Sequence, residues 1–170
     1  RACSEALRWN QSALADLDAM LAVAAWAHEY RCVLPGFGRQ LRLTAARHPL
    51  LLRQFRTDRG RNVVPLDVEL PVDARVVVIT GANSGGKTVA LKTIGLLTLA
   101  AQTGLPVPVG PDSQFEVFGQ VFADIGDEQS LAENLSTFTG HVAHLTRVLR
   151  EAGRQRALVL LDELGAGTDP

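Results

Sequence analysis

Glycines at positions 81, 85 and 86, followed at once by Lys87 and Thr88, form the stretch Gly81-Ala82-Asn83-Ser84-Gly85-Gly86-Lys87-Thr88. Glycines let backbone N–H groups turn inward around an anion, a lysine adds a compact positive charge, and a threonine hydroxyl is a hard ligand for a divalent cation. The spacing fits G-x-x-x-x-G-K-[ST], the pattern of a loop that cradles phosphates. It predicts that all eight residues, Gly81 to Thr88, hold ATP with Mg²⁺. Lys87 would neutralise the β- and γ-phosphates and Thr88 would ligate the metal.

Leu158-Val159-Leu160-Leu161-Asp162-Glu163 sets four apolar residues before two carboxylates, and Asp162 lies 75 positions after Lys87. A buried strand with this ending delivers Asp162 to the metal and leaves Glu163 beside the terminal phosphate as a general base for water. Adjacent acids after an apolar run are ordinary on their own. Paired with the phosphate loop they point to hydrolysis rather than nucleotide binding alone. Between the two motifs, Ser136 and Thr137 head a helical pattern, and Ser136 reads either as an N-cap or as an anion contact for a γ-phosphate.

The elements needed to position these groups follow from periodicity. Leu7, Leu14, Leu17, Leu21 and Ala24 recur at helical spacing between Ser4 and Tyr30, with Ser4 as N-cap and Pro35-Gly36 closing the segment. Leu41 to Thr44 and Val63-Val64 are β-like. The region from Arg53 to Arg61 that divides them is arginine-rich and reads as a turn. Seven arginines fall from Arg39 to Arg61 against one acid, Asp58; with Phe55 as the single aromatic among them, no interleaving suggests base stacking, which favours a solvated hairpin face over a phosphate-contacting patch. Arg75 to Thr80 reads as a buried strand, Lys87 to Gln102 as an apolar-faced helix, Phe115 to Ile125 as β-rich, Ser136 to Ala152 as a helix, and Ala157 to Leu161 as a last buried strand. Buried strands alternating with helices give an α/β fold with a parallel component.

The bulk properties agree. A chain of 170 residues, 46% hydrophobic and 21% charged, suffices for one α/β domain with a helical appendage. A net charge of −1 supplies no global basic field for nucleic acid. Cys3 and Cys32 have neither disulfide-framework nor metal-ligand spacing and read as reduced thiols of a cytoplasmic protein. No apolar stretch is long enough for a membrane span. Arg1 and Pro170 read as the ends of a piece excised from a larger protein.

Taken in order, Ala46-Arg47-His48-Pro49-Leu50-Leu51, the phosphate loop, Phe122 to Ser130, Leu135-Ser136-Thr137-Phe138 and Leu161 to Pro170 resemble the ATPase domain of the MutS family across essentially the whole chain. Thr88 after the lysine, Gly126-Asp127-Glu128-Gln129-Ser130 and the ending Asp162 to Pro170 resemble the bacterial MutS-two branch, whose members carry an Smr nuclease domain. The resemblance implies a P-loop NTPase of the ABC/MutS type, with a mixed sheet flanked by helices. Residues 1–37 would then be the end of a helical lever and residues 38–170 an ATPase domain shortened at its C-terminus.

The resemblance further implies a homodimer that sandwiches two ATP molecules. Ser136 would act in trans, Gln129 would serve as a metal- and water-sensing loop residue, Val63 or Val64 would pack on adenine, and Gly165 to Asp169 would cross the interface. The implied biology is action on branched DNA that limits homologous recombination, and rescue of collided ribosomes, through regions outside this chain. Two other readings differ in class. A nucleotide-sensing module would bind without turnover, and a transporter subunit is disfavoured because no Leu-Ser-Gly-Gly-Gln-like run accompanies Ser136.

Overall fold

A computed structural model describes residues 2–58, 60–82, 86–125, 145–153 and 155–162. The chain opens with α1 (Ala2–Glu29), 28 residues long. Ser4 lies inside this helix rather than capping it, and its hydroxyl accepts from Arg8. The apolar positions that predicted the helix are not its packed face: Leu7, Leu14, Leu17 and Leu21 are 53–66% exposed. Contact with the rest of the chain comes at its end, where the Trp26 indole donates to the Pro106 carbonyl and stacks, tilted, on Tyr30.

Four short strands follow in one mixed sheet: β1 (Gly36–Gly38), β2 (Leu41–Ala46), β3 (Leu66–Leu70) and β4 (Gln114–Glu116), in the order β1-β4-β2-β3. β2 is antiparallel to β3 and β4, and β1 is parallel to β4. Leu41, Leu43 and Ala46 of β2 are buried. The register slips between Leu43 and Ala46, where Ala45 adopts a positive φ and its N–H is taken by the Asp67 carboxylate.

The arginine-rich region predicted as a turn includes a helix, α2 (Pro49–Phe55), started by a proline and capped by the His48 side chain. Several arginines of the run from Arg39 to Arg61 are already engaged. Arg47 donates to the carbonyls of Tyr30 and Arg31, Arg56 pairs with Glu29, and Arg61 pairs with Asp58 and lies over the Phe55 ring.

The helix predicted over Lys87 to Gln102 is α3 (Lys87–Gln102). It packs against β4 and against a second, two-stranded parallel sheet made of β5 (Gln120–Asp124) and β6 (Ala157–Leu161). The predicted β-rich stretch Phe115 to Ile125 therefore divides between two sheets, turning at residues 117–119. Residues 145–152 are helical, and the remainder of the predicted Ser136 to Ala152 helix lies outside the described residues. One core joins these parts, built from β2, α3, Val107, Val109, Phe115, Phe118 and Leu158 and Leu160 of β6.

One expected strand is not observed. Residues Arg75 to Thr80 are not in a strand, and Val76 and Val78 are 77% and 76% exposed. Apolar sequence creates a demand for cover, but a strand also requires a neighbour whose backbone completes its hydrogen bonds, and among the described residues no strand pairs with this run.

Candidate functional site

The site is assembled where the start of α3 meets the end of β6. The backbone reaches α3 through Gly86, its N-cap, at φ 81°, a left-handed conformation that glycine adopts without steric cost. Lys87 and Thr88 therefore occupy the first two helical positions, in the turn whose backbone N–H groups have no acceptor within the helix. The Lys87 ammonium folds back over the loop and donates to the Gly81 carbonyl at 2.7 Å. Gly81 and Ala82 are exposed, whereas Asn83, Ser84 and Gly85 lie outside the described residues.

Thr88 and Asp162, 74 positions apart, meet directly: the Thr88 hydroxyl donates to Asp162 Oδ2 at 2.5 Å, partly buried. The two oxygen groups predicted from separate motifs to share a metal are thus brought to one point. A hydroxyl and a carboxylate are hard oxygen donors. They suit Mg²⁺, which keeps much of its water and takes few protein ligands beside substrate phosphates. Among the described residues no group of three or more His, Cys, Asp or Glu could hold a metal by itself.

β5 and β6 end together. Asp124 is in register with Leu161, and the Asp162 N–H donates to the Asp124 carbonyl at 2.9 Å. The carboxyl ends of parallel strands, next to a helix N-terminus, are where open α/β sheets bind ligands. Asp124 was assigned no role from sequence, although its position after Gln120-Val121-Phe122-Ala123 repeats the apolar-strand-then-acid pattern of β6.

Other site predictions are placed less directly. Val63 is half-buried and Val64 is 84% exposed, both in the irregular segment before β3 rather than in the strand expected there. Gln129, Ser136 and Glu163 lie outside the described residues, as does Gly165 to Asp169.

His48 was not singled out for its own chemistry. It is 8% exposed, its Nδ1 accepts from the Leu51 N–H, and burial followed by the charge of Lys92 lowers its pKa below the ordinary 6.5. Lys92 belongs to α3, so the cap of α2 responds to a charge on the helix that carries Thr88.

A phosphate-type loop, a helix start and a metal-suited Thr–Asp pair at the end of a parallel sheet define a P-loop nucleotide-binding protein. The family model for MutS domain V, a P-loop-type ATPase domain, matches residues 77–170, and the chain belongs to the MutS family. Within that family it falls in the MutS2 branch. It is 48% identical over 169 residues to the Endonuclease MutS2 of Geobacillus sp. (strain WCH70), covering 98% of this chain and 20% of that protein. It is 55% identical over 131 residues to the Endonuclease MutS2 of Thermomicrobium roseum, covering 77% and 16%. With the Endonuclease MutS2 of Gemmatimonas aurantiaca it shares 44% identity over 169 residues, covering 98% and 20%. The chain thus spans about a fifth of the length of these relatives. No helix among the described residues is long and apolar enough to cross a membrane.

Proposed function

We propose that this chain binds ATP with Mg²⁺ and hydrolyses it as one half of a two-subunit site. The observation that supports this most is the 2.5 Å contact between Thr88 and Asp162, which unites the hydroxyl of the phosphate loop with the carboxylate after β6. In this reading Gly81, Ala82, Asn83, Ser84, Gly85 and Gly86 surround the phosphates with backbone N–H groups, and Lys87 leaves the Gly81 carbonyl to meet the β- and γ-oxygens. Thr88 and Asp162 hold Mg²⁺, which supplies charge neutralisation of the phosphate oxygens. Glu163 accepts the proton of the attacking water, Gln129 monitors that water, and Ser136 of a second copy closes on the γ-phosphate. Val63 or Val64 covers the adenine.

At the level of the whole protein, residues 1–37 end a lever and residues 38–170 form the ATPase domain, so the nucleotide state of a homodimer moves the lever. The relatives are named endonucleases. By that likeness nuclease chemistry belongs to the parent protein outside this chain, and we further propose, from the resemblance of the motifs alone, that the parent acts in the cytoplasm on branched DNA, suppressing homologous recombination, and on collided ribosomes. The deciding experiment compares full-length wild type with Glu163→Ala by nucleotide titration, phosphate release and light scattering. The variant is expected to bind ATP and stay dimeric without turnover. Undiminished hydrolysis would remove Glu163 as the base. Negligible turnover in the wild type, with ATP-dependent dimerisation intact, would favour a nucleotide-sensing module instead.

A further inference from the structure

The contact between α3 and β6 is made twice on the same faces. Thr88 and Gly95 are seven residues apart on α3, almost two full turns, and so lie one above the other. Leu160 lies in β6 and Asp162 follows two residues on, just past the end of the strand, and both reach α3. Thr88 meets Asp162, and Gly95 meets Leu160. At the second contact the helix has no side chain to offer: a Cβ built on Gly95 would stand 2.6 Å from Leu160 Cδ1. Gly95 is buried, and Leu160 is 5% exposed within the core that it shares with Leu158, Phe115 and Leu43, so its methyl group has little free space to yield into. A glycine inside a helix is disfavoured by propensity, and this one has neither a positive φ nor a helix end to account for it.

We propose that Gly95 is a positioning residue for the metal site: by leaving room for Leu160 it lets α3 lie close enough to β6 for Thr88 and Asp162 to share one Mg²⁺. This rests on the nucleotide reading above. A side chain at position 95 lifts the helix from the strand two turns beyond Thr88. A displacement of a few tenths of an ångström at the pair matters because Mg²⁺ demands near-ideal octahedral geometry. The phosphate loop, attached at the N-terminal end of α3, keeps its backbone donors.

The test measures binding of a fluorescent ADP analogue to the full-length protein, with Mg²⁺ varied and with Mg²⁺ chelated. Gly95→Ala and the larger Gly95→Leu are expected to weaken Mg²⁺ binding progressively, roughly tenfold to a hundredfold as for other residues that orient metal ligands, while metal-free ADP affinity stays within about twofold. Gly95→Ala combined with Leu160→Val, which removes the opposing methyl group, is expected to recover the wild-type Mg²⁺ dependence. Folded Gly95→Ala and Gly95→Leu variants with unchanged Mg²⁺ affinity would overturn the proposal, because Leu160 would then have yielded without moving the helix. If the single variants do not fold, the double variant decides: recovery supports the proposal, and a folded double variant lacking Mg²⁺ dependence overturns it. Failure of the wild type to bind ADP in a Mg²⁺-dependent way would instead overturn the underlying reading of the site.

Discussion

Thr88 and Asp162 each give the other its purpose. A threonine in the first turn of a helix is unremarkable, and so is an aspartate after a strand; at 2.5 Å they form the pair of oxygen groups proposed above to hold Mg²⁺. Replacing Thr88 by valine keeps the shape and removes only the hydroxyl. The expected result is nucleotide binding that persists in chelator but no longer tightens with Mg²⁺, read by titration calorimetry at several Mg²⁺ concentrations. An unchanged Mg²⁺ dependence would remove Thr88 from the metal site.

His48 carries a prediction of a different kind. Its folded-state pKa lies below 6.5, so the unfolded chain binds more protons over the interval between the two values, and stability rises with pH there. The contribution is therefore complete above pH 6.5 and is lost as pH falls through the lower, folded value. His48→Asn keeps an N-capping acceptor without a titrating group and is expected to flatten this acid limb in urea melts taken from pH 7 down to pH 5. Cys32 is shifted upward to about 11 by burial, with Arg47 opposing, so alkylation at neutral pH should be slow until the chain is unfolded.

Among the elements, α3 organises the molecule, since its start carries Thr88, its middle meets Leu160 and its end grips the link between β4 and β5. That grip is reciprocal: the Gln102 side chain donates to the Phe118 carbonyl at 3.1 Å and accepts from the Phe118 N–H at 2.7 Å. Phe118 is 7% exposed, so Gln102→Ala leaves two buried backbone groups unmatched and is expected to cost about 2 kcal/mol in urea unfolding. The opposite sign is expected one turn nearer the middle of the helix. The Thr98 hydroxyl is fully buried with no hydrogen-bond partner among the described residues, and Thr98→Val, similar in shape, should gain about 1 kcal/mol. A loss of stability in Thr98→Val would mean that the hydroxyl has a partner after all.

At the scale of the whole molecule, two sheets share one core through α3. Leu43 belongs to the four-stranded sheet and Leu158 to the two-stranded one, yet both are buried in the same cluster. Leu43→Ala and Leu158→Ala should each cost about 2–5 kcal/mol and lower a single common transition, with near- and far-ultraviolet circular dichroism melting together. Two separated transitions would contradict a shared core.

Periodicity and motif spacing were enough to place α1, α3 and β6 and to nominate Thr88 and Asp162, because a helix or a buried apolar strand writes its own period into neighbouring residues. The phosphate-loop pattern was equally local, eight consecutive residues whose types dictate their chemistry. Other features depend on residues distant in the chain. Val76 to Ile79 is as apolar as β6, but strand formation requires a partner that the run cannot specify. α2 is only seven residues long, too short for periodicity to separate it from a turn, and is set by Pro49 and the His48 cap. The division of Phe115 to Ile125 between two sheets, the reciprocal grip of Gln102 and the seat of Leu160 against Gly95 are likewise absent from any local pattern. The sequence by itself nominated the residues proposed to bind phosphate and metal; the tertiary structure decided that Thr88 and Asp162 meet, because only the packing of α3 on β6 brings residues 74 positions apart to within 2.5 Å.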